Sequence, residues 1–325
     1  MTDVFARILY FIASAIGRLP WPWLRTLGDA MARLWLRRGG RESRVAGRNL
    51  EMAYPELLPG QREGLQGEIL RTTARQALET LRLWTRPHAE NLRMIRETQG
   101  EALFDAAIAS GRGVIVAAPH YGNWELLNQW LASRTPLAIL YRPPDSALGE
   151  AFLRRVRADA GDRVTQVRAE AAGIRQLFKR LRDGGVVGIL PDQQPKSGDG
   201  EFAPFFGVSA YTMSLLPRLA ERSGAIVLFA YCERVGDLAF ALRIEPAPED
   251  IASGDTMVAT SALNAAVERI ARRDPAQYQW TYKRYTLRPS LNPYHNPYRD
   301  LEGRDPQDRE PRDPDPHDRA PHDQE

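Results

Sequence analysis

The side chains best suited to chemistry are His120 and Glu125, which lie in the run Ala118-Pro119-His120-Tyr121-Gly122-Asn123-Trp124-Glu125. A neutral imidazole accepts a proton near neutral pH. A carboxylate beside it fixes its tautomer and stabilises the imidazolium that forms, so the pair suits general-base chemistry. On one continuous helix, residues five apart point roughly 140° away from each other. The two can meet only if a turn intervenes. Gly122 and Asn123 suit a turn or a helix cap, and a helix is expected from Trp124 onward with Glu125 in its first turn. Free N–H groups near Gly122–Trp124 would then be placed to hold an oxyanion. The plainer reading is a loop histidine followed by an acid that the helix dipole favours.

The apolar run 113–118 reads as a buried strand that delivers His120 to its carboxyl end. Further short apolar runs at 137–141, 164–167, 186–190, 225–233 and 238–245 read as strands. They alternate with helical patterns at 124–133, 147–160, 170–183 and 211–222. A long helical pattern covers 61–84, another covers 101–110, and an amphipathic one covers 256–273. The alternation predicts an α/β fold, an αβα sandwich with a mixed, largely parallel sheet and its functional residues at the carboxyl ends of the strands.

Several other residues fall at those strand ends. Arg142, in Tyr141-Arg142-Pro143, is placed to bind phosphate or is simply an exposed strand end. Asp192 follows the strand at 186–190 and either caps backbone N–H groups or positions a substrate hydroxyl. Phe202, Phe205 and Phe206 stand in a Gly/Pro-rich stretch read as a loop, where they line an acyl chain or pack among themselves. Trp280 to Tyr285 alternates aromatic groups with Lys283 and Arg284, a pattern fit for a lipid head group or for stacked bases. No phosphate-binding glycine loop is complete, and Ser209 lacks the glycine two positions on that a nucleophile elbow needs. The residues thus offer a general base without a marked serine nucleophile.

The chain has 325 residues and a net charge of +3. Residues 301–325 hold nine acids against four arginines, which leaves 40 basic and 32 acidic residues, a balance of +8, on the rest. Arg33, Arg37, Arg38, Arg41, Arg44 and Arg48 gather just after an apolar, tryptophan-rich stretch from Val4 to Leu24. An anionic membrane surface fits that cluster better than nucleic acid, because Trp21 and Trp23 are residues that enter an interface. The stretch is read as a membrane-associated helix. Its uncharged core between Arg7 and Arg18 is short for a span, and it lacks the layout of a cleaved signal peptide. The single cysteine, Cys232, excludes an internal disulfide and a multi-cysteine metal site, and reads as a buried thiol. The Pro/Asp/Arg-rich end, with His317 and His322, is expected to be disordered.

The blocks RNLEMAYPEL (48–57), GVIVAAPHYGNWEL (113–126), LYRPPD (140–145), GILPDQQPKSGDGEFAPFFGVSAYTM (188–213) and QYQWTYKRYTLRP (277–289) stand in the order of the lipid A biosynthesis acyltransferases, which the chain resembles over roughly residues 1–290. The resemblance implies a glycerolipid-acyltransferase-like fold. It implies transfer of a fatty acyl group from acyl carrier protein to a hydroxyl of a lipid A precursor of the Kdo-lipid IVA type, on the cytoplasmic face of the inner membrane. It implies no metal and no organic cofactor. His120 and Glu125 become the catalytic pair. Asn123, Arg142, Arg157, Asp192, Lys283 and Arg284 become substrate-binding residues, Arg157 because it matches an arginine the family needs. The expected organisation is an N-terminal membrane anchor with its basic segment (1–48), an acyltransferase domain (49–290) and a tail (291–325). The alternatives are an acyltransferase for another membrane lipid and a nonenzymatic lipid-binding membrane protein.

Overall fold

The computed structural model describes residues 2–141, 146–156, 163–289 and 295–301. Its strands in chain order are β1 (Ile95–Gln99), β2 (Val114–Ala117), β3 (Leu137–Tyr141), β4 (Val164–Arg168), β5 (Val186–Ile189), β6 (Gly200–Phe205), β7 (Val208–Met213), β8 (Ile226–Gly236) and β9 (Ala239–Pro246). Seven of them form one sheet in the order β1-β9-β8-β2-β5-β3-β4. All neighbouring pairs are parallel except the β8–β9 hairpin. The expected mixed, largely parallel sheet is therefore present.

β2 lies at the centre, with Val114 opposite Val186 of β5 and Ile226 of β8. Its four residues are fully buried, as expected of a strand covered on both faces. Alternate side chains feed two different cores. Val114 and Val116 pack with Leu126, Leu127, Trp130 and Leu131 of helix α7 (Trp124–Arg134). Ile115 and Ala117 face Leu177 and Leu181 of α9 (Ala171–Arg182), Leu216 and Leu219 of α10 (Leu215–Ser223), and Leu263 and Val267 of α11 (Thr256–Ala271). This two-sided packing is the αβα sandwich. Gly113 opens β2 with φ +79°, and a Cβ there would fall 2.2 Å from the carbonyl oxygen of Leu181, so the strand enters the sheet only through glycine.

The N-terminal region is helical: α1 (Thr2–Gly17), α2 (Trp21–Arg38), α3 (Arg41–Ala53) and the long α4 (Pro59–Thr85). The apolar stretch expected as one helix is thus two, bent by 107° at the break before Pro20. Pro20 and Pro22 cannot continue a helix from upstream but suit the first turn of a new one. No single helix among the described residues is long and apolar enough to cross a membrane. On α1, Ala6, Ala13 and Ser14 face inward while Val4, Phe5, Ile8, Leu9, Phe11 and Ile12 are exposed. The boundary expected at residue 48 falls inside α3, where Asn49 donates to the carbonyls of Trp280 and Tyr282. Tyr298, expected in the tail, is fully buried and its hydroxyl reaches Asn49.

Two strands at 200–213 replace the expected loop and the first turns of the helix expected from 211. β6 and β7 pair antiparallel around Phe206 and Gly207, whose φ values of 51° and 72° give the mirror-image turn that matches strand twist. β1, a mostly exposed edge strand with the polar sequence IRETQ, has no apolar run and gave no strand signal.

Candidate active site

Past Ala117 the chain leaves β2 and turns sharply through Pro119 to Asn123 before α7 begins. The turn is fixed from several directions. The Ala118 N–H donates to Ile189 O at 2.9 Å, Gly122 N–H to Gln277 O at 3.1 Å and Asn123 N–H to Cys232 O at 2.9 Å. Gly122 has φ +62°, and a Cβ there would stand 2.0 Å from the Cys232 oxygen. Only glycine fits between the two backbones. A short ribbon around Tyr278 pairs with Tyr121, and the Gln279 N–H donates to the carbonyl of His120 at 3.0 Å. The aromatic and basic block at 277–285 is therefore, in its first part, a backbone partner of the histidine turn.

Asp192, at the end of β5, holds His120 with both oxygens. Its Oδ1 lies 2.8 Å from Nδ1 of the ring, and Oδ2 accepts the His120 backbone N–H at 2.9 Å. Asp192 thus caps the His120 N–H, as one reading expected, and also orients its ring. Both oxygens serve the histidine, so the substrate-binding role expected of Asp192 becomes one of positioning. Glu125 was expected to orient His120; the acid on Nδ1 is Asp192. Glu125 is buried in the first turn of α7.

Burial works against a charge on Asp192, but the His120 ring and its backbone N–H outweigh burial and hold the carboxyl below its ordinary value. An ionised carboxylate accepts hydrogen bonds and donates none, so the proton of a neutral His120 sits on Nδ1 and the lone pair on Nε2. The Gln193 amide nitrogen lies 3.2 Å from that Nε2 and 3.3 Å from Oε1 of Gln279. Trp124 meets the imidazole edge-on, with centroids 4.8 Å apart. Burial and the neighbouring Asp192 carboxylate push the Tyr278 phenol well up. Gln193, Gln279 and Tyr278 belong to this site without having been singled out; their only sequence signal was membership of the PDQQ and QYQW blocks.

Other expected site residues take structural roles. Asn123 is fully buried: its Oδ1 accepts the Leu126 N–H at 3.2 Å as the cap of α7, and its Nδ2 donates to Glu79 at 3.3 Å. It is the cap of α7. Arg284 is buried and donates to Tyr211 O at 2.6 Å and Thr212 Oγ1 at 2.8 Å, so it ties the β6–β7 hairpin down. Phe205 and Phe206 belong to the main core. Phe206 packs on Tyr54 and Trp280 at 5.3 and 5.1 Å under the Arg272 guanidinium. Phe202 is half-buried against Tyr211, and Lys283 is half-buried. Of the N–H groups expected to hold an oxyanion, those of Gly122 and Asn123 are committed to Gln277 and Cys232; that of Trp124 has no acceptor among the described residues. Arg142 and Arg157 lie outside the described residues. Among the described residues, no group of three or more metal-ligating side chains occurs.

A histidine held by an acid at the carboxyl edge of a largely parallel sheet, at the capped start of a helix, marks an α/β protein whose residues suit general-base chemistry. The chain matches the model of the bacterial lipid A biosynthesis acyltransferases over residues 2–286, and it belongs to that family. It is 30% identical over 277 residues to the lipid A biosynthesis palmitoleoyltransferase of Escherichia coli, covering 84% of this chain and 88% of that protein. The lauroyltransferase of the same organism is 27% identical over 277 residues, covering 84% and 89%. A phosphatidylinositol mannoside acyltransferase of Mycobacterium tuberculosis is 29% identical over 259 residues, covering 77% and 78%.

Proposed function

We propose that the protein transfers a fatty acyl group from acyl carrier protein to a hydroxyl of a lipid A precursor of the Kdo-lipid IVA type, with His120 as general base and no acyl-enzyme. The observation that carries this reading is the Asp192 carboxylate on Nδ1, which favours the tautomer with its lone pair on Nε2, where the Gln193 amide now stands. An acceptor hydroxyl in the position of that amide gives its proton to Nε2. Its oxygen attacks the thioester carbonyl carbon, and a C–O bond forms. The tetrahedral oxyanion collapses, the C–S bond breaks, and the leaving thiolate takes the proton from the imidazolium. The products are an ester and a free carrier thiol.

The oxyanion lies at the start of α7, where the Trp124 N–H and the helix dipole favour negative charge. Glu125, buried at the same helix start, is the second acid of the site and places the acceptor. Arg142, Arg157 and Lys283 bind the anionic groups of acceptor or donor. The exposed apolar face of α1, with Trp23 and the exposed Arg33, Arg37 and Arg38 of α2, supports seating on the cytoplasmic side of the inner membrane.

The test is a detergent assay with labelled acyl carrier protein thioesters and a panel of acceptors that includes Kdo-lipid IVA and a mannosylated phosphatidylinositol. Acyl transfer to the lipid A precursor is expected, and its loss in His120→Ala. Preference for the mannosylated lipid would favour the acceptor named for the mycobacterial relative. No acceptor-dependent loss of thioester would leave a nonenzymatic lipid-binding protein.

A further inference from the structure

Helix α4 belongs to the N-terminal helical region, yet it sends a carboxylate into the α/β body. Glu79 is 1% exposed. It receives Arg234 of β8 in a two-pronged pair, Nε to Oε1 at 2.9 Å and Nη2 to Oε2 at 2.5 Å. The same Oε2 accepts from Nδ2 of Asn123 at 3.3 Å, while Oδ1 of Asn123 takes the Leu126 N–H at 3.2 Å. The two contacts demand one orientation of the amide. A carboxylate accepts only its NH2 end, and an N–H seeks only its oxygen. Glu79 thereby fixes the cap of α7, three residues from His120.

Arg234 acts on the same turn from the other side. Its N–H donates to Gln277 Oε1 at 2.7 Å, its carbonyl accepts Gln277 Nε2 at 2.9 Å, and the Gln277 carbonyl accepts the Gly122 N–H at 3.1 Å. A buried ion pair is a poor way to fill space, since apolar side chains of similar volume are often as stabilising or more so. Here the Arg234 Nη1 is also buried without a partner. Packing alone is a weak reason for such a pair. We propose that Glu79 and Arg234 are positioning residues for acyl transfer, locking Asn123 and Gly122 and through them the turn that carries His120. The proposal rests on the reading of His120 as the base.

The test compares Glu79→Gln, Asn123→Asp and the double variant, with Asp105→Asn as a control that breaks an arginine pair, Asp105 with Arg134 at 2.7 Å, at the far end of α7. Each of the first two is expected to lower kcat at least tenfold with KM within threefold. In the double variant the amide at position 79 donates to the carboxylate at 123, which still accepts the Leu126 N–H. Its kcat is expected to recover at least fivefold over either single change, and the control to stay within twofold of wild type. Single variants with wild-type kcat, or a double variant no better than the singles, would overturn the proposal. Should Glu79→Gln not fold, Glu79→Met with Arg234→Met replaces the pair by apolar groups; a folded double variant with full kcat ends the idea. Amide exchange at Leu126, read without substrate, separates this proposal from the functional one. It is expected to quicken at least tenfold in Glu79→Gln, and unchanged exchange counts against the pair whatever the enzyme does.

Discussion

The turn at 118–123 and helix α1 are the two regions that the sequence marked most strongly, and they are built on opposite principles. In the turn, polar groups are buried and matched, with Gln277, Cys232, Asp192 and Gln279 each taking a named partner. On α1, large apolar groups stand in the open, Phe11 at 66% exposure and Val4 at 59%. An unmatched buried polar group is costly, so the turn has one arrangement. An exposed apolar stripe is equally costly in water, so α1 is shaped for a surface that is not water. One region is finished in itself, and the other waits for its surroundings.

The hardest blow to this contrast falls on the turn. His120→Ala should lower kcat by roughly 10²–10⁴-fold while circular dichroism and the unfolding midpoint stay near wild type; rapid turnover by the folded variant would remove the base. Asp192→Asn should cost about 10²-fold or more, because a neutral amide neither fixes the Nδ1 proton nor stabilises the imidazolium. It also predicts a pH effect. The folded-state pKa of Asp192 is depressed below its ordinary 3.8. Its hold on His120 therefore contributes stability that is fully present above that value and is lost as pH falls through the lower one. Urea unfolding between pH 6 and 3 should show a shallower acid loss in Asp192→Asn, and an identical slope would remove the linkage.

On α1, Phe11→Asp with Ile12→Asp should weaken partitioning onto anionic phospholipid vesicles by about tenfold or more, since each large apolar side chain withdrawn from water is worth about 1.5–3 kcal/mol. Partitioning unchanged in sedimentation would mean that the stripe faces something other than a bilayer. The smallest effect is expected at Gly207, which has φ +72° and open space around it. Gly207→Ala meets backbone strain alone, about 1 kcal/mol, and should lower the melting temperature by a few degrees.

The fold was legible where one physical signal dominated. The strands at 113–118, 137–141 and 186–190 are apolar because both faces are covered, and α4, α7 and α11 carry clear start signals at Pro59, Asn123 and Asp255. It was illegible where tertiary contacts decide. The turn at Phe206 and Gly207 puts a non-glycine residue at positive φ, which local sequence disfavours and which the packing on Tyr54 and Trp280 holds in place. His120 was found from its place after a buried strand. The Asp192 carboxylate on its Nδ1 was illegible, because it is 72 positions away and reaches the ring only through the parallel pairing of β2 with β5. Arg284 looked like a ligand-binding cation because charge in an aromatic block reads alike whether it faces solvent or ties down a hairpin.

The sole cysteine of the sequence lies directly behind the turn that carries His120, on β8, with its carbonyl engaged by Asn123 and its sulfur fully enclosed. Burial pushes the Cys232 thiol up, so it is neither ionised nor reachable by alkylating reagents near neutral pH. The native chain is therefore silent toward maleimides. A cysteine introduced at the outward face of the first helix would carry the only reactive label, and a fluorophore placed there would read lipid contact without touching the catalytic centre.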